Sequence, residues 1–211
     1  MKQVKLYGFN LLSLRFLGVY VVTGVVVATL AVNSLSSSTG MSAMNKMGSS
    51  GQMTASPAMK LAFAKLNNAH TDVCQDMGDK PAINMYMNNL PDGARLQGSC
   101  CSPMDMKKYV SQINGLKAYA NIPQIPNDPY DISKESAQQM LGYYDNILLT
   151  PAQQSIYDSA QKLTDDHGWC CCQCWAWYTH AGLAKYLITQ RNYTAQQVVV
   201  ITNLEDCCGG N

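Results

Sequence analysis

Charge is scarce in this chain. Only 14% of its 211 residues are Asp, Glu, Lys or Arg, and the formal net charge is +1. Proteins that grip nucleic acid usually present a strongly basic face, so nucleic acid is not an expected partner. Histidine is limited to three residues. There is no H-E-x-x-H string, no Gly-rich phosphate loop and no pair of carboxylates in an apolar frame. Nor is a nucleophile-base-acid set legible, so the chain leans away from being an enzyme. The βαβ alternation of a parallel α/β fold is missing too.

What the chain has in excess is sulfur: nine cysteines and twelve methionines, in a composition that is 47% hydrophobic. Its first third is not ordinary globular sequence. Lys2, Lys5 and Arg15 precede an uncharged run from Phe16 to Val32. With Leu11, Leu12 and Leu14 this run approaches the ~20 residues needed to span a bilayer. Basic residues on its leading side predict that end in the cytoplasm and the remainder outside. Residues 1–32 are therefore expected to be a signal-anchor, or else a cleaved signal peptide, although the run exceeds the usual apolar core of roughly 7–15 residues. Either way the rest of the chain is exported. No cysteine follows the run closely, so a lipoprotein anchor is not indicated. Residues 33–56, built of Ser, Gly, Met, Asn and Thr, read as a flexible linker. Met41, Met44 and Met47 recur there at every third position. Thioethers suit Cu(I), but filler in a low-complexity tether accounts for them more simply.

Residues 57–211 read as an all-α, Cys-rich bundle. Ser56-Pro57 predicts an N-cap with proline at the first helical position, and helical spacing runs on to Val73. A short helix is expected over Ala82 to Leu90, and another after Ser102-Pro103. Pro123, Pro126 and Pro129 mark an extended loop, and Ser133 opens the next helix. Thr150-Pro151-Ala152-Gln153 and Thr194-Ala195-Gln196-Gln197 are capping boxes. His167-Gly168 looks like a helix end, with Gly168 in the left-handed position. The following helix is then expected to start near Trp169 and run to about Arg191. Trp169, Trp175, Trp177 and Tyr178 are expected mainly as core.

The cysteines are grouped: Cys100-Cys101, then Cys170-Cys171-Cys172 with Cys174, then Cys207-Cys208, with Cys74 alone. Adjacent cysteines rarely bond each other, since a disulfide needs converging Cβ vectors. Each doublet is therefore expected to look outward to a partner. A helix beginning near Trp169 would put Cys170 to Cys172 in its first turn, where the positive end of the dipole favours thiolate. Three readings remain open, in descending order of expectation. The first is a site for a thiophilic metal, Cu(I) or Zn²⁺, built from Cys170, Cys171, Cys172, Cys174, Cys100, Cys101, Cys207 and Cys208 with His167 just upstream. The second is a structural disulfide framework, the usual role of cysteine outside the cytoplasm. The third is a redox dithiol at Cys171 and Cys174, formally a C-x-x-C. His180 and the His70–Cys74 pair read as packing or chance rather than as ligands. Met104 and Met106, close to Cys100-Cys101, tilt the metal reading toward copper.

Asp166-His167-Gly168-Trp169-Cys170-Cys171-Cys172-Gln173-Cys174, a following helix, and Tyr193-Thr194-Ala195-Gln196-Gln197 resemble the C-terminal half of exported bacterial PCYCGC-motif proteins. The likeness covers about the last fifty residues. The family's Pro-Cys-Tyr-Cys-Gly-Cys string is absent here, and Cys100-Cys101-Ser102-Pro103 fills its place without matching it. The resemblance implies export and a sulfur-rich site, and it implies no activity. The expectation is therefore a membrane-tethered, extracytoplasmic metal-binding domain, with the membrane and a metal-donor or metal-acceptor protein as partners.

Overall fold

The computed structural model describes residues 54–69 and 79–210, which fall within one compact unit, Gly51–Asn211. The expected anchor, most of the linker, and the His70–Cys74 pair lie outside the described residues. Among the described residues no helix is long and apolar enough to cross a membrane.

The unit is mostly helical. In chain order it contains α1 (Pro57–Asn67), α2 (Lys80–Asn89), β1 (Arg95–Gln97), α3 (Met106–Leu116) with a 3-10 turn (Lys117–Tyr119), β2 (Asp131–Ser133), α4 (Lys134–Asn146), α5 (Pro151–Leu163), α6 (Trp175–Gln190) and α7 (Ala195–Leu204). Local chemistry starts most of these helices. The hydroxyls of Ser56, Ser133, Thr150 and Thr194 each accept from a backbone amide of the first turn, satisfying a donor that has no intrahelical partner. Both expected capping boxes are complete, with Gln153 and Gln197 reaching back to the cap amides.

Three expectations need correction. First, α3 begins at Met106 under an Asp105 cap, three residues beyond the Ser102-Pro103 signal, because Ser102 bonds elsewhere. Second, a short two-stranded antiparallel ribbon that was not expected is added to the helices, which remain the main elements. Leu96 pairs with Ile132, and Arg95 ion-pairs Asp131 across it. Third, α6 begins at Trp175 rather than near Trp169. Cys170 to Gln173 precede it without helical structure, and Cys174 is its N-cap.

α6 is the central element. It buries eleven of its sixteen residues, and burial on nearly all sides marks a helix inside a bundle rather than on its surface. It packs against α4 so closely that a Cβ at Gly182 would lie 1.9 Å from the Met140 carbonyl oxygen. α5 and α7 also pack against it. Trp169 and Trp175 are buried, as expected of core residues. Trp169 rests on Tyr157 of α5 with ring centroids 4.7 Å apart. The cysteine-bearing segments gather at the N-terminal end of α6.

Candidate metal centre

Three backbone segments bring the cysteines together. The first, Ser99 to Pro103, follows β1. The second is the C-terminal tail, which lies along the first like an added strand. The Cys100 amide donates to the Cys207 carbonyl at 3.1 Å, the Ser102 amide to the Cys208 carbonyl at 3.1 Å, and the Gly210 amide to the Pro103 carbonyl at 2.9 Å. Ser102 Oγ adds a bond to the Cys208 carbonyl at 2.8 Å. Gly209 turns the tail with φ +92°, and a Cβ there would meet the Ser102 carbonyl oxygen at 2.2 Å, so only glycine fits. Lys108 on α3 holds the tail from the other side, donating to Gly209 O at 2.6 Å and ion-pairing Asp206 at 2.7 Å.

The third segment is the loop from Thr164 to Cys174. The Gly168 amide donates to Thr164 Oγ1, and the Thr164 hydroxyl donates to the Gly168 carbonyl at 2.6 Å. His167, not Gly168, takes the left-handed conformation, at φ 50°. Buried His180 on α6 places its Nδ1 2.7 Å from the Trp169 carbonyl oxygen. A carbonyl only accepts, so Nδ1 carries the proton in that bond. His180 thus pins the residue next to Cys170.

Seven cysteines of these segments carry thiols rather than disulfides: Cys100, Cys101, Cys170, Cys171, Cys174, Cys207 and Cys208. Their sulfurs are in contact. Cys208 lies 2.9 Å from both Cys170 and Cys171 and 3.8 Å from Cys100. Cys101 lies 3.0 Å from Cys171 and 3.6 Å from Cys100, and Cys207 lies 3.8 Å from Cys100. None of these is near a disulfide bond length of about 2.05 Å. The separations run up to the ~3.8 Å between sulfurs that share one ion at a metal–sulfur distance of about 2.3 Å.

Within this assembly, ligand atoms fall into trios whose members all lie within 4.8 Å of one another: Cys100/Cys170/Cys174, Cys100/Cys101/Cys208, Cys170/Cys171/Cys208 and Cys101/Cys171/Cys172. The clustered cysteines could therefore hold a metal. The last trio is the weakest of the four, because Cys172 is disulfide-bonded. A further trio, Asp166/Asp206/Cys208, mixes two carboxylates with one thiol.

Negative charge within the cluster settles on two sulfurs. Contacts with Cys100, Cys170 and Cys171 hold the Cys208 thiol far below its ordinary range. Cys174 is pushed down to about 3 by Cys100 and Cys170, helped by the amides of Trp177 and Ala176 at the start of α6. Cys100 is driven the other way by Cys170, Cys174, Cys207, Cys208 and burial. Cys100 draws the Cys207 thiol down, but burial and the neighbouring charges of Cys208 and Cys174 prevail and push it up to about 11. The helix-terminus effect expected for Cys170 to Cys172 thus acts on Cys174 instead.

Of the residues expected at the site, all eight cysteines converge, seven as thiols and Cys172 as a disulfide-bonded sulfur 3.5 Å from that of Cys101. His167 does not join them. It is exposed, and its Nδ1 faces the Lys162 carbonyl at 3.2 Å, back on the last turn of α5. Cys171 and Cys174 are not brought together as a dithiol, since Cys174 joins Cys100 and Cys170 while Cys171 joins Cys101 and Cys208. Sequence reasoning missed two contributors to the frame, His180 and the Gly209 tail. The Cys-Cys-Gly-Gly ending was a usable signal for the second. No family model, curated protein or solved structure matches the chain.

Proposed function

We propose that this protein binds a thiophilic metal, Cu(I) before Zn²⁺, at the convergent cysteines, and that it does so as an extracytoplasmic domain tethered through its N-terminal apolar segment. The observation that carries the metal reading is the packing of six thiol sulfurs from three distant segments at separations of 2.9–3.8 Å, with Cys174 within 4.8 Å of Cys100 and Cys170. Outside the cytoplasm cysteines commonly end in disulfides, and thiols held this close without bonding suit a thiophilic ion. Among the described residues, every cysteine group is a trio rather than a quartet. A structural zinc site is four-coordinate, whereas soft thiolate sets of lower number suit Cu(I). Met104 lines a cavity of about 230 Å³ beside Cys100 and Cys101, which adds a soft thioether at the approach. The role fits binding and delivery to or from a partner protein, not turnover. The export reading rests on the apolar run after Arg15 and on the resemblance to exported PCYCGC-motif proteins.

The test is competition for Cu(I) against a chromophoric chelator, using the anaerobically purified full chain. The expected result is copper retention that Cys208→Ser and Cys100→Ser each weaken. Failure to retain copper or zinc, with Cys100, Cys170 and Cys208 found in disulfides by non-reducing mass spectrometry, would overturn the reading in favour of a disulfide framework.

A further inference from the structure

The trios are not independent of one another. Cys100/Cys170/Cys174 shares Cys100 with Cys100/Cys101/Cys208 and shares Cys170 with Cys170/Cys171/Cys208, and the latter two share Cys208. Each pair among these three trios has one sulfur in common, and within the set each trio keeps one sulfur of its own; Cys101/Cys171/Cys172 stands outside the set because Cys172 is disulfide-bonded. Three shared sulfurs and three private ones close a loop. If each trio holds one ion, Cys100, Cys170 and Cys208 alternate with three ions around a six-membered ring, while Cys101, Cys171 and Cys174 each complete one ion's shell. We infer that the site is a trinuclear Cu(I)–thiolate cluster with Cys100, Cys170 and Cys208 as bridges. This rests on the metal-binding reading above and specifies its nuclearity.

Burial sorts the ligands in the same way. All three bridging cysteines are buried, as is Cys174 at 0% exposure. Cys101 and Cys171 are exposed. One corner of the ring is therefore inside the protein, and two open to solvent, where ions can be exchanged. Thiolate is the natural bridging group, because its sulfur carries several lone pairs and binds soft monovalent ions without strong geometric demands. A four-iron cluster is a poorer match. There each cysteine binds a separate corner across inorganic sulfide, which sets cysteine sulfurs further apart than ligands of one ion. On loading, each of the six sulfurs binds as thiolate, its proton going to solvent if it still carries one. Six thiolates against three monovalent ions leave three negative charges. Lys108, paired with Asp206 and bonded to Gly209 O, is a cation fixed to the tail. The pairs now at 2.9 Å must part by about 1 Å to share an ion at a metal–sulfur distance of about 2.3 Å. The exposed loop carrying Cys171 can supply that movement.

Cys207 touches Cys100 but belongs to none of the trios. It therefore supplies an internal control. The full chain, purified anaerobically, is titrated with Cu(I) supplied as a bicinchoninate complex and read by native mass spectrometry. Three coppers per chain, filling without populated intermediates, are expected. Cys208→Ser, which removes a bridge shared by two ions, should abolish the three-copper species. Cys171→Ser, which removes a private ligand, should lower occupancy to two. Cys207→Ser should leave it at three. Saturation at one or two coppers would overturn the trinuclear cluster while leaving the metal-binding reading intact. Saturation at zero would overturn both. Three coppers retained in Cys208→Ser but lost in Cys207→Ser would overturn the bridging assignment.

Discussion

Gly209→Ala separates the framing of the site from the stability of the bundle. At φ +92° an L-residue is strained, at a cost of roughly 1–2 kcal/mol. The added Cβ would also sit 2.2 Å from the Ser102 carbonyl oxygen, so the tail must move. That endangers the Ser102 amide and hydroxyl bonds to Cys208 O and the Gly210 amide bond to Pro103 O, each worth about 1 kcal/mol. Tail docking should therefore weaken by about 3–5 kcal/mol, an increase of at least two orders of magnitude in the open population. The α4–α6 core does not depend on these bonds. The reporter is Cys207, only 1% exposed, whose alkylation in the metal-free protein reads tail opening. Gly93→Ala is the control. Gly93 also has a positive φ, +72°, but a Cβ there meets nothing within 4 Å. The expected result is Cys207 labelling accelerated at least 100-fold in Gly209→Ala and unchanged in Gly93→Ala, with helical circular dichroism preserved in both. Equal labelling in the two variants would refute the claim that tail docking positions Cys207 and Cys208.

Other outcomes follow from the same contacts. His180→Leu leaves the buried Trp169 carbonyl without its donor, at a cost of about 1–3 kcal/mol; His180→Asn, which keeps a donor, should cost less in chemical denaturation, and equal losses would count against the bond. Glu205 is buried with both carboxyl oxygens unpartnered, and burial, then Asp128, raises its pKa well above the usual carboxylate value. The folded state therefore keeps the proton that the unfolded chain gives up, so stability is full below the unfolded pKa and falls as pH rises above it. Glu205→Gln should remove that decline and raise stability at pH 7, and an unchanged pH profile would show that Glu205 is not the titrating group. Copper loading at neutral pH should release fewer than six protons, because metal binding displaces only the protons still present and Cys174 and Cys208 already favour thiolate. Release of six in a weakly buffered titration would contradict that charge distribution.

Legibility from sequence followed locality. The caps at Ser56, Ser133, Thr150 and Thr194 were readable because each is decided within four residues. The start of α6 was not. Trp169 to Gln173 has no helix breaker after Gly168, and what holds it out of a helix is distant in sequence or specific to the fold: His180 on the Trp169 carbonyl and Thr164 around Gly168. The β1–β2 ribbon escaped notice because each strand has three residues and its partner lies about 36 positions away. The convergence of cysteine doublets was legible because adjacent cysteines must seek partners elsewhere. How they group into trios was not, since it depends on the tail lying along Ser99 to Pro103. His167 was misassigned for a related reason: its left-handed backbone directs the imidazole back to α5.

X-ray absorption at the copper edge on the copper-loaded full chain tests the central claim most directly. The account predicts Cu(I) in an all-sulfur shell of about three sulfurs per copper. A shell with nitrogen or oxygen neighbours, or copper that washes away before measurement, would contradict it.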